Sequence, residues 1–209
     1  MTTPPCPQQS NAQTIASYEA HVPAYIAGTA QEVSGPAKDW IDAALDGLAP
    51  GARLLELGSA FGRDARYIMG RGYRLECSDA TQGFIEHLRA QGFTARRFNA
   101  LTDELDHPYD LIIANAVLLH FTRAECAYVL AKLAAAVRPG GRCAFSLKQG
   151  DGEEISTMKL NAPRYFCYWQ PGDLPEILRA AGFAGWDIAT ANTDRKHAQW
   201  IYVIAHMAG

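Results

Sequence analysis

The chain has 209 residues, 48% hydrophobic and 20% charged, with 19 basic against 22 acidic residues and a formal net charge of −3. That length suits one domain with a sheet core covered by helices, the charge leaves no basic excess for an extended nucleic acid, and no apolar run reaches the ~18 residues that span a bilayer. Five cysteines (Cys6, Cys77, Cys126, Cys143, Cys167) form no CxxC pair, and an odd, dispersed set suits a reducing, cytoplasmic compartment better than a disulfide framework.

Residues 1–9 have neither a basic start nor an apolar centre, so they read as a disordered tail rather than a targeting peptide. Residues 10–25 (SNAQTIASYEAHVPAY) suit an amphipathic helix opened by Ser10 or Asn11 and bent or ended at Pro23. Residues 36–48 form a second helix with Trp40, Ile41, Ala44, Leu45 and Leu48 at helical spacing, so about 10–49 makes a helical cover. Pro50-Gly51 then turns the chain into a strand over 53–57.

That strand runs into Glu56-Leu57-Gly58-Ser59-Ala60-Phe61-Gly62, a turn of small residues followed by a helix over 62–69 and an apolar strand closing on Asp79. Strand, glycine turn, helix, strand and terminal acid make a half-Rossmann unit for a ligand carrying a ribose, whose hydroxyls an acid about 20 residues on can accept. A dinucleotide fingerprint would place glycine at 58, 60 and 63, whereas these are Gly58, Ala60 and Arg63, and Glu56 would repel a pyrophosphate. The same carboxylate suits a ligand with an ammonium and a sulfonium, and S-adenosylmethionine carries both. Gly58 and Gly62 are the expected contact points, and the amides opening the 62–69 helix, with Arg63, face the ligand's carboxylate.

Beyond Asp79, residues 81–91 form a helix with Phe84, Ile85 and Leu88 inward and His87 outward, and 93–98 a short strand that runs into Asn99-Ala100-Leu101. Residues 110–115 (DLIIAN) are a continuous apolar run, as in the buried centre of a parallel sheet, and lead through Ala116-Val117-Leu118-Leu119 to His120. An unshifted imidazole at 120 would titrate near neutrality, a pKa suited to a general base. A helix over 123–137, Pro139-Gly140-Gly141 and a strand over 142–147 follow. Residues 148–154 read as a polar loop, and 161–169 (NAPRYFCYW) gather Tyr165, Phe166, Tyr168 and Trp169 around Arg164 with little periodicity. A helix over 170–181 and strands over 183–189 and 199–206, joined by a polar loop at 192–197, end the chain; of that loop, Lys196 and His197 read as solvated and Arg195 as able to reach the cleft.

Residues 54–147, from the glycine turn through Asp79 to the Pro-Gly-Gly break, resemble the class I S-adenosylmethionine-dependent methyltransferases of small-molecule type. The resemblance implies an α/β fold: a Rossmann-like three-layer α/β/α sandwich with a mostly parallel seven-stranded sheet and an antiparallel C-terminal strand. It implies that Tyr18 and Tyr25 lie over the cofactor, that Glu56, Gly58, Ser59, Gly62 and Arg63 hold its methionine part, that Asp79 and Ala80 hold the ribose, and that Asn99 and Ala100 border the adenine. Many relatives carry aspartate where this chain has Asn99. Asn115 and His120 fall at the fourth motif, beside the methyl group. Candidate catalytic residues are His120, Tyr25 and Tyr165, and an acceptor pocket would draw on His120, Lys148, Arg164, Tyr165, Tyr168 and Trp169.

The resemblance lacks the Asn-Pro-Pro-aromatic run of enzymes acting on planar amino groups, since Asn115 is followed by Ala116-Val117-Leu118. No aspartate at the end of the fourth strand invites a divalent metal, so a metal-independent enzyme methylating O or N of a small molecule or modest peptide is expected. Two other readings stand beside it: a noncatalytic S-adenosylmethionine or nucleotide binder using 164–169 as a partner surface, and a nicotinamide-dependent oxidoreductase. No motif encodes the acceptor or the oligomeric state.

Overall fold

A computed structural model describes residues 7–105, 108–192 and 199–209. Its strands in chain order are β1 Leu54–Leu57, β2 Leu75–Asp79, β3 Ala95–Arg97, β4 Tyr109–Ala114, β5 Val137–Lys148, β6 Glu153–Ser156, β7 Arg164–Cys167, β8 Gly185–Asn192 and β9 Gln199–His206. The helices are α1 Pro7–Glu19, α2 Val22–Ala27, α3 Gly35–Leu45, α4 Arg63–Gly70, α5 Gln82–Ala90, α6 Arg123–Ala136 and α7 Leu174–Ala181. No helix among the described residues is long and apolar enough to cross a membrane.

Seven strands form one sheet in the order β3-β2-β1-β4-β5-β9-β8, parallel from β3 to β5, with β9 running antiparallel between β5 and β8. Strand alternation divides the core into two layers. Leu54, Leu111 and Ile113 face a cluster with Trp40 and Ile41 of α3, Ile68 of α4 and Leu88 of α5. Leu55, Leu57, Ile112 and Ala114 face the opposite cluster with Val129 and Leu130 of α6 and Leu178 of α7. The three-layer sandwich is the fold the sequence implied, and its strand order reverses between β1 and β4, where a crevice opens at the strands' carboxyl ends.

Four features differ from the sequence reading. First, α1 begins at Pro7, inside the expected tail, of which residues 1–6 lie outside the described residues. Its inward face is polar, with Ser10, Asn11, Thr14 and Ser17 buried, so hydrogen bonds rather than apolar burial seat it. Ser17 donates to the Pro163 carbonyl at 2.6 Å, Thr14 Oγ1 accepts from the Tyr165 amide at 3.0 Å, and Asn11 Oδ1 accepts from Asn99 Nδ2 at 3.0 Å. Second, the helix expected over 10–25 and bent or ended at Pro23 breaks between Glu19 and Val22, and Pro23 lies in the first turn of α2, where its missing N–H falls among helix amides that have no partner anyway.

Third, the expected polar loop and irregular aromatic run pair as an antiparallel two-stranded sheet, Glu153 opposite Cys167 through Ser156 opposite Arg164. The exposed face of Glu153–Ser156 and the fully buried Arg164–Cys167 hide the period-two signal that would have marked them. Fourth, β8 starts later and runs on to Asn192; Arg195, Lys196 and His197 lie outside the described residues.

Candidate active site

The crevice holds about 700 Å³ of space, counting its open mouth. Its floor is the turn after β1. Gly58 has φ +71°, and a Cβ there would overlap Val117 Cγ2, so only glycine lets the turn lie against the loop after β4. Ala60 at φ +47° and Ala116 at φ +59° both line the cleft in a left-handed conformation that costs a non-glycine residue energy. Gly62, expected as a contact, is not part of the lining: a Cβ there would meet Leu88 at 2.8 Å and Phe93 at 3.1 Å, so its bareness serves packing on α5.

Asp79 lines the cleft and is 8% exposed. Its Oδ2 accepts from the Ala60 amide at 2.9 Å and its Oδ1 from the Thr81 amide at 2.8 Å. A carboxylate has about four acceptor positions, so each oxygen keeps one for a ligand hydroxyl. Burial pushes this carboxyl up, and the two amide bonds pull it back. Ala80, Asn99, Ala100 and Asn115 also line the cleft. Asn99 spends Nδ2 on Asn11 and accepts from the Leu101 amide at 3.1 Å, so its side chain ties α1 to the loop as well as bordering the cavity.

Behind the turn lies a buried acidic group. Glu56 is 3% exposed, and its Oε2 has no hydrogen-bond partner among the described residues. Burial, reinforced by the nearby charge of Asp64, pushes Glu56 up to about 8. Asp64 is held by Arg63 Nε at 2.6 Å and by Asn115 Nδ2 at 2.7 Å, and Ser146 donates to Asn115 Oδ1 at 2.6 Å while accepting from the Ala116 amide at 2.8 Å. Arg63 thus pairs with Asp64. Ser59 belongs to the framework too, its amide and hydroxyl bridging β1 to Ser78 at 2.8 and 3.2 Å. Glu56, Ser59 and Arg63 stand behind the lining rather than in it.

At the other end, Tyr18 of α1 and His120 line the cavity together and bond through Tyr18 Oη and His120 Nε2 at 3.0 Å. His120 Nδ1 lies 2.7 Å from the Tyr165 carbonyl, which can only accept, so Nδ1 carries the proton and Nε2 accepts from Tyr18. Arg164 Nη1 donates to the same phenol oxygen at 3.1 Å. Burial, with the charges of Arg164 and Lys148 as lesser causes, pushes His120 down to about 4. The near-neutral titration expected of it does not hold, because the ring is desolvated and both nitrogens are engaged.

Tyr25 lines the cavity in edge contact with Tyr18 and Phe84, at centroid distances of 5.3 and 5.4 Å, and burial holds its phenol protonated. Tyr165 reaches the site through its carbonyl, while its side chain is buried outside the lining, with burial first and Glu153 second pushing its phenol up. Tyr168 donates to Glu154 at 2.6 Å, and Trp169 is buried beneath Arg123, whose Cζ is 4.3 Å from its ring. With Tyr165, Phe166 and Trp169 buried, half-buried Tyr168 is the aromatic side chain that the 164–169 run leaves at the surface. Val117, on the loop expected to face the chemistry, lines the cleft; Asn11, Thr14, Ile15, Phe84 and Phe98 line it too and were not expected there, the inward period of Asn11, Thr14 and Tyr18 being a signal obscured because it is polar.

The described residues contain no cluster of three or more histidine, cysteine, aspartate or glutamate side chains placed to hold a metal. The cradle does fit a cationic nucleoside-bearing ligand: a bare turn at Gly58, spare lone pairs on Asp79 and an unpartnered buried carboxylate at Glu56.

No curated protein sequence matches the chain. Among solved structures, it is similar to 1,6-didemethyltoxoflavin-N1-methyltransferase of Burkholderia thailandensis, bound to 1,6-didemethyltoxoflavin and S-adenosylhomocysteine, at 20% identity and TM-score 0.78, covering 100% of this chain and 93% of that one. Magnesium protoporphyrin IX methyltransferase of Synechocystis with bound S-adenosylmethionine aligns at 14% identity and TM-score 0.72, covering 98% and 99%. Phosphoethanolamine N-methyltransferase 2 of Haemonchus contortus aligns at 12% identity and TM-score 0.71, covering 91% of this chain and 57% of that one. A family model described as a methyltransferase domain matches residues 29–188, most of the length, and the chain therefore belongs to that methyltransferase family.

Proposed function

We propose that the protein transfers a methyl group from S-adenosylmethionine to an oxygen or nitrogen of a small molecule, releasing S-adenosylhomocysteine. The observation that carries this reading is the cradle at the β1–β4 switch point: Gly58 bare against Val117, Asp79 with one open acceptor position on each oxygen, and Glu56 buried without a partner. Bound there, S-adenosylmethionine supplies a methyl group on an electrophilic sulfonium whose departure leaves a neutral thioether. Asp79 takes the ribose hydroxyls, Asn99 and Ala100 border the adenine, and Glu56 answers the positive charge of the methionine portion. Tyr18, Tyr25 and Phe84 line the cleft together, and an aromatic face there favours a cation.

In-line displacement asks mainly for alignment and exclusion of water, and alignment alone can supply roughly 7 to 11 kcal/mol. Helix α1 closes the cleft by hydrogen bonds to β7 and to the loop at Asn99, which fits a small acceptor better than a peptide. Tyr18 and His120 act as a positioning pair: His120, neutral and fixed as one tautomer by the Tyr165 carbonyl, aims the phenol at the acceptor position. His120, held down to about 4, is a poor proton acceptor, so the pair orients the acceptor rather than deprotonating it, and alignment of this kind needs no metal. The four described cysteines are buried and unpaired, in keeping with a reducing cytoplasm.

Titration calorimetry with S-adenosylhomocysteine tests the cradle, and incubation with methyl-labelled S-adenosylmethionine and a metabolite extract tests transfer. Heat on binding together with label in a small product is expected. No heat with either the donor or its demethylated product overturns the reading; stabilisation by NAD in their place would favour the oxidoreductase.

A further inference from the structure

Three cations surround the Tyr18–His120 pair, and among the described residues no carboxylate is ion-paired with any of them, although the charge of Glu154 reaches Lys148. Arg164 is 6% exposed, its Nε has no hydrogen-bond partner, and no described carboxylate pairs with it. Its guanidinium lies 5.5 Å from the Tyr18 ring centroid and 5.1 Å from that of Phe166. Lys148 Nζ stands 4.3 Å from the same Phe166 ring, which is 4.7 Å from the His120 ring. Lys159 Nζ stands 4.0 Å from the ring of Tyr25, Tyr18's neighbour, and donates to the Thr29 hydroxyl at 2.7 Å.

We infer that the acceptor carries a small anionic group, a carboxylate or a phosphoryl group, seated against Arg164 between Lys148 and Lys159, an inference that rests on the methyltransferase reading above. Cations gathered in a partly dry place repel one another, and ring faces soften that repulsion without cancelling it. The acids nearby are committed elsewhere. Glu154 accepts from Tyr168, Asp64 is paired with Arg63, and both oxygens of Asp79 accept backbone amides. The strain shows in the lysines. Burial and then the charge of Arg164 lower Lys148, with Glu154 offsetting them only in part, and burial, Arg164, Arg63 and Lys148 in that order bring Lys159 down to about 8. An anion entering beside Tyr18 gives Arg164 Nε its missing acceptor and relieves all three. Being held at one end, it also orients the remainder of the acceptor past the Tyr18 phenol toward the donor.

The test measures binding of benzoate, phenylphosphonate and inorganic phosphate, with neutral benzamide as control, to the protein saturated with S-adenosylhomocysteine. At least one anion is expected to bind about tenfold more tightly than benzamide, the carboxylate and phosphorus arms separating the two sources of charge. The double variant Lys148→Gln/Lys159→Gln, changed only at partly exposed positions, should lose about fivefold or more of that affinity and keep its affinity for S-adenosylhomocysteine. Arg164→Gln should abolish anion binding if it folds, but the lysine variant decides the matter alone. Equal binding of benzamide and every anion overturns the inference. So does a lysine variant that weakens S-adenosylhomocysteine instead, which would make the cations a seat for the donor's own carboxylate. Failure to bind S-adenosylhomocysteine at the outset would overturn the methyltransferase reading, a separate result.

Discussion

Gly58→Ala is the sharpest single perturbation of the cleft floor. Two separable costs are expected. At φ +71° an L-residue pays about 1 to 2 kcal/mol in backbone strain. The new methyl also overlaps Val117 Cγ2, a buttress shared with the cleft, and overpacking of that kind costs about 1 to 3 kcal/mol. Val117 Cβ and Cγ1 both stand 3.5 Å from the new atom, at ordinary contact distance. Val117→Ala should therefore remove the overlap and leave the strain. In a double-mutant cycle followed by chemical denaturation, Gly58→Ala should cost about 2 to 5 kcal/mol, and Val117→Ala in that background should restore about 1 to 3 kcal/mol. Calorimetry on the same proteins should show S-adenosylhomocysteine affinity falling about tenfold in the single variant and partly returning in the double. Additive effects in the cycle, or a Gly58→Ala protein as stable as its parent, would refute the assignment of Gly58 as a contact-limited position.

Tyr18→Phe leaves His120 Nε2 without a donor and Arg164 Nη1 without an acceptor, so stability should fall by about 1 to 3 kcal/mol and turnover should drop more than donor affinity, as paired denaturation and kinetic measurements would reveal. His120, held down to about 4 against an unfolded value near 6.5, makes the folded state refuse a proton that the unfolded chain accepts. Stability should accordingly decline as pH falls from about 6.5 to about 4, by up to about 3 kcal/mol, and level off below; denaturation curves of His120→Asn should lack that slope. Glu56 has the opposite case: pushed up to about 8, it is protonated at neutral pH and weakens the fold as pH rises from about 4.5 to 8. A cationic donor should expel that proton, so calorimetry at pH 7 in buffers of different ionisation heat should detect about one proton released on binding, and none in Glu56→Gln. Asp79→Asn keeps one acceptor for two amides; we expect about 1 to 3 kcal/mol of lost stability together with weakened donor binding, read by denaturation and calorimetry on the same sample.

Local chemistry in the sequence determined the sheet and its crevice. Largely apolar runs at 54–57 and 110–115 suit central strands of a sheet covered on both faces, and Gly58 and Asp79 carry their meaning in short-range geometry, whereas the Pro-Gly-Gly expected as a break before the strand at 142–147 lies inside β5. Tertiary structure decided what depends on neighbours distant in the chain. Asn11, Thr14 and Ser17 look like a solvated helix face until Asn99, Tyr165 of β7 and the Pro163 carbonyl supply their partners, and β6 and β7 become a sheet only once each meets the other. Gly62 resembles a ligand contact by spacing, yet Leu88 and Phe93 give its missing side chain a packing reason. The same holds for charge: Arg164, Lys148 and Lys159 are ordinary basic residues along the chain, and only their convergence on the rings of Tyr18, Tyr25 and Phe166 makes them a site. Periodicity and turn chemistry act over a few residues and can be read from one strand of text, whereas burial, pKa and charge balance are sums over space that the fold alone assembles.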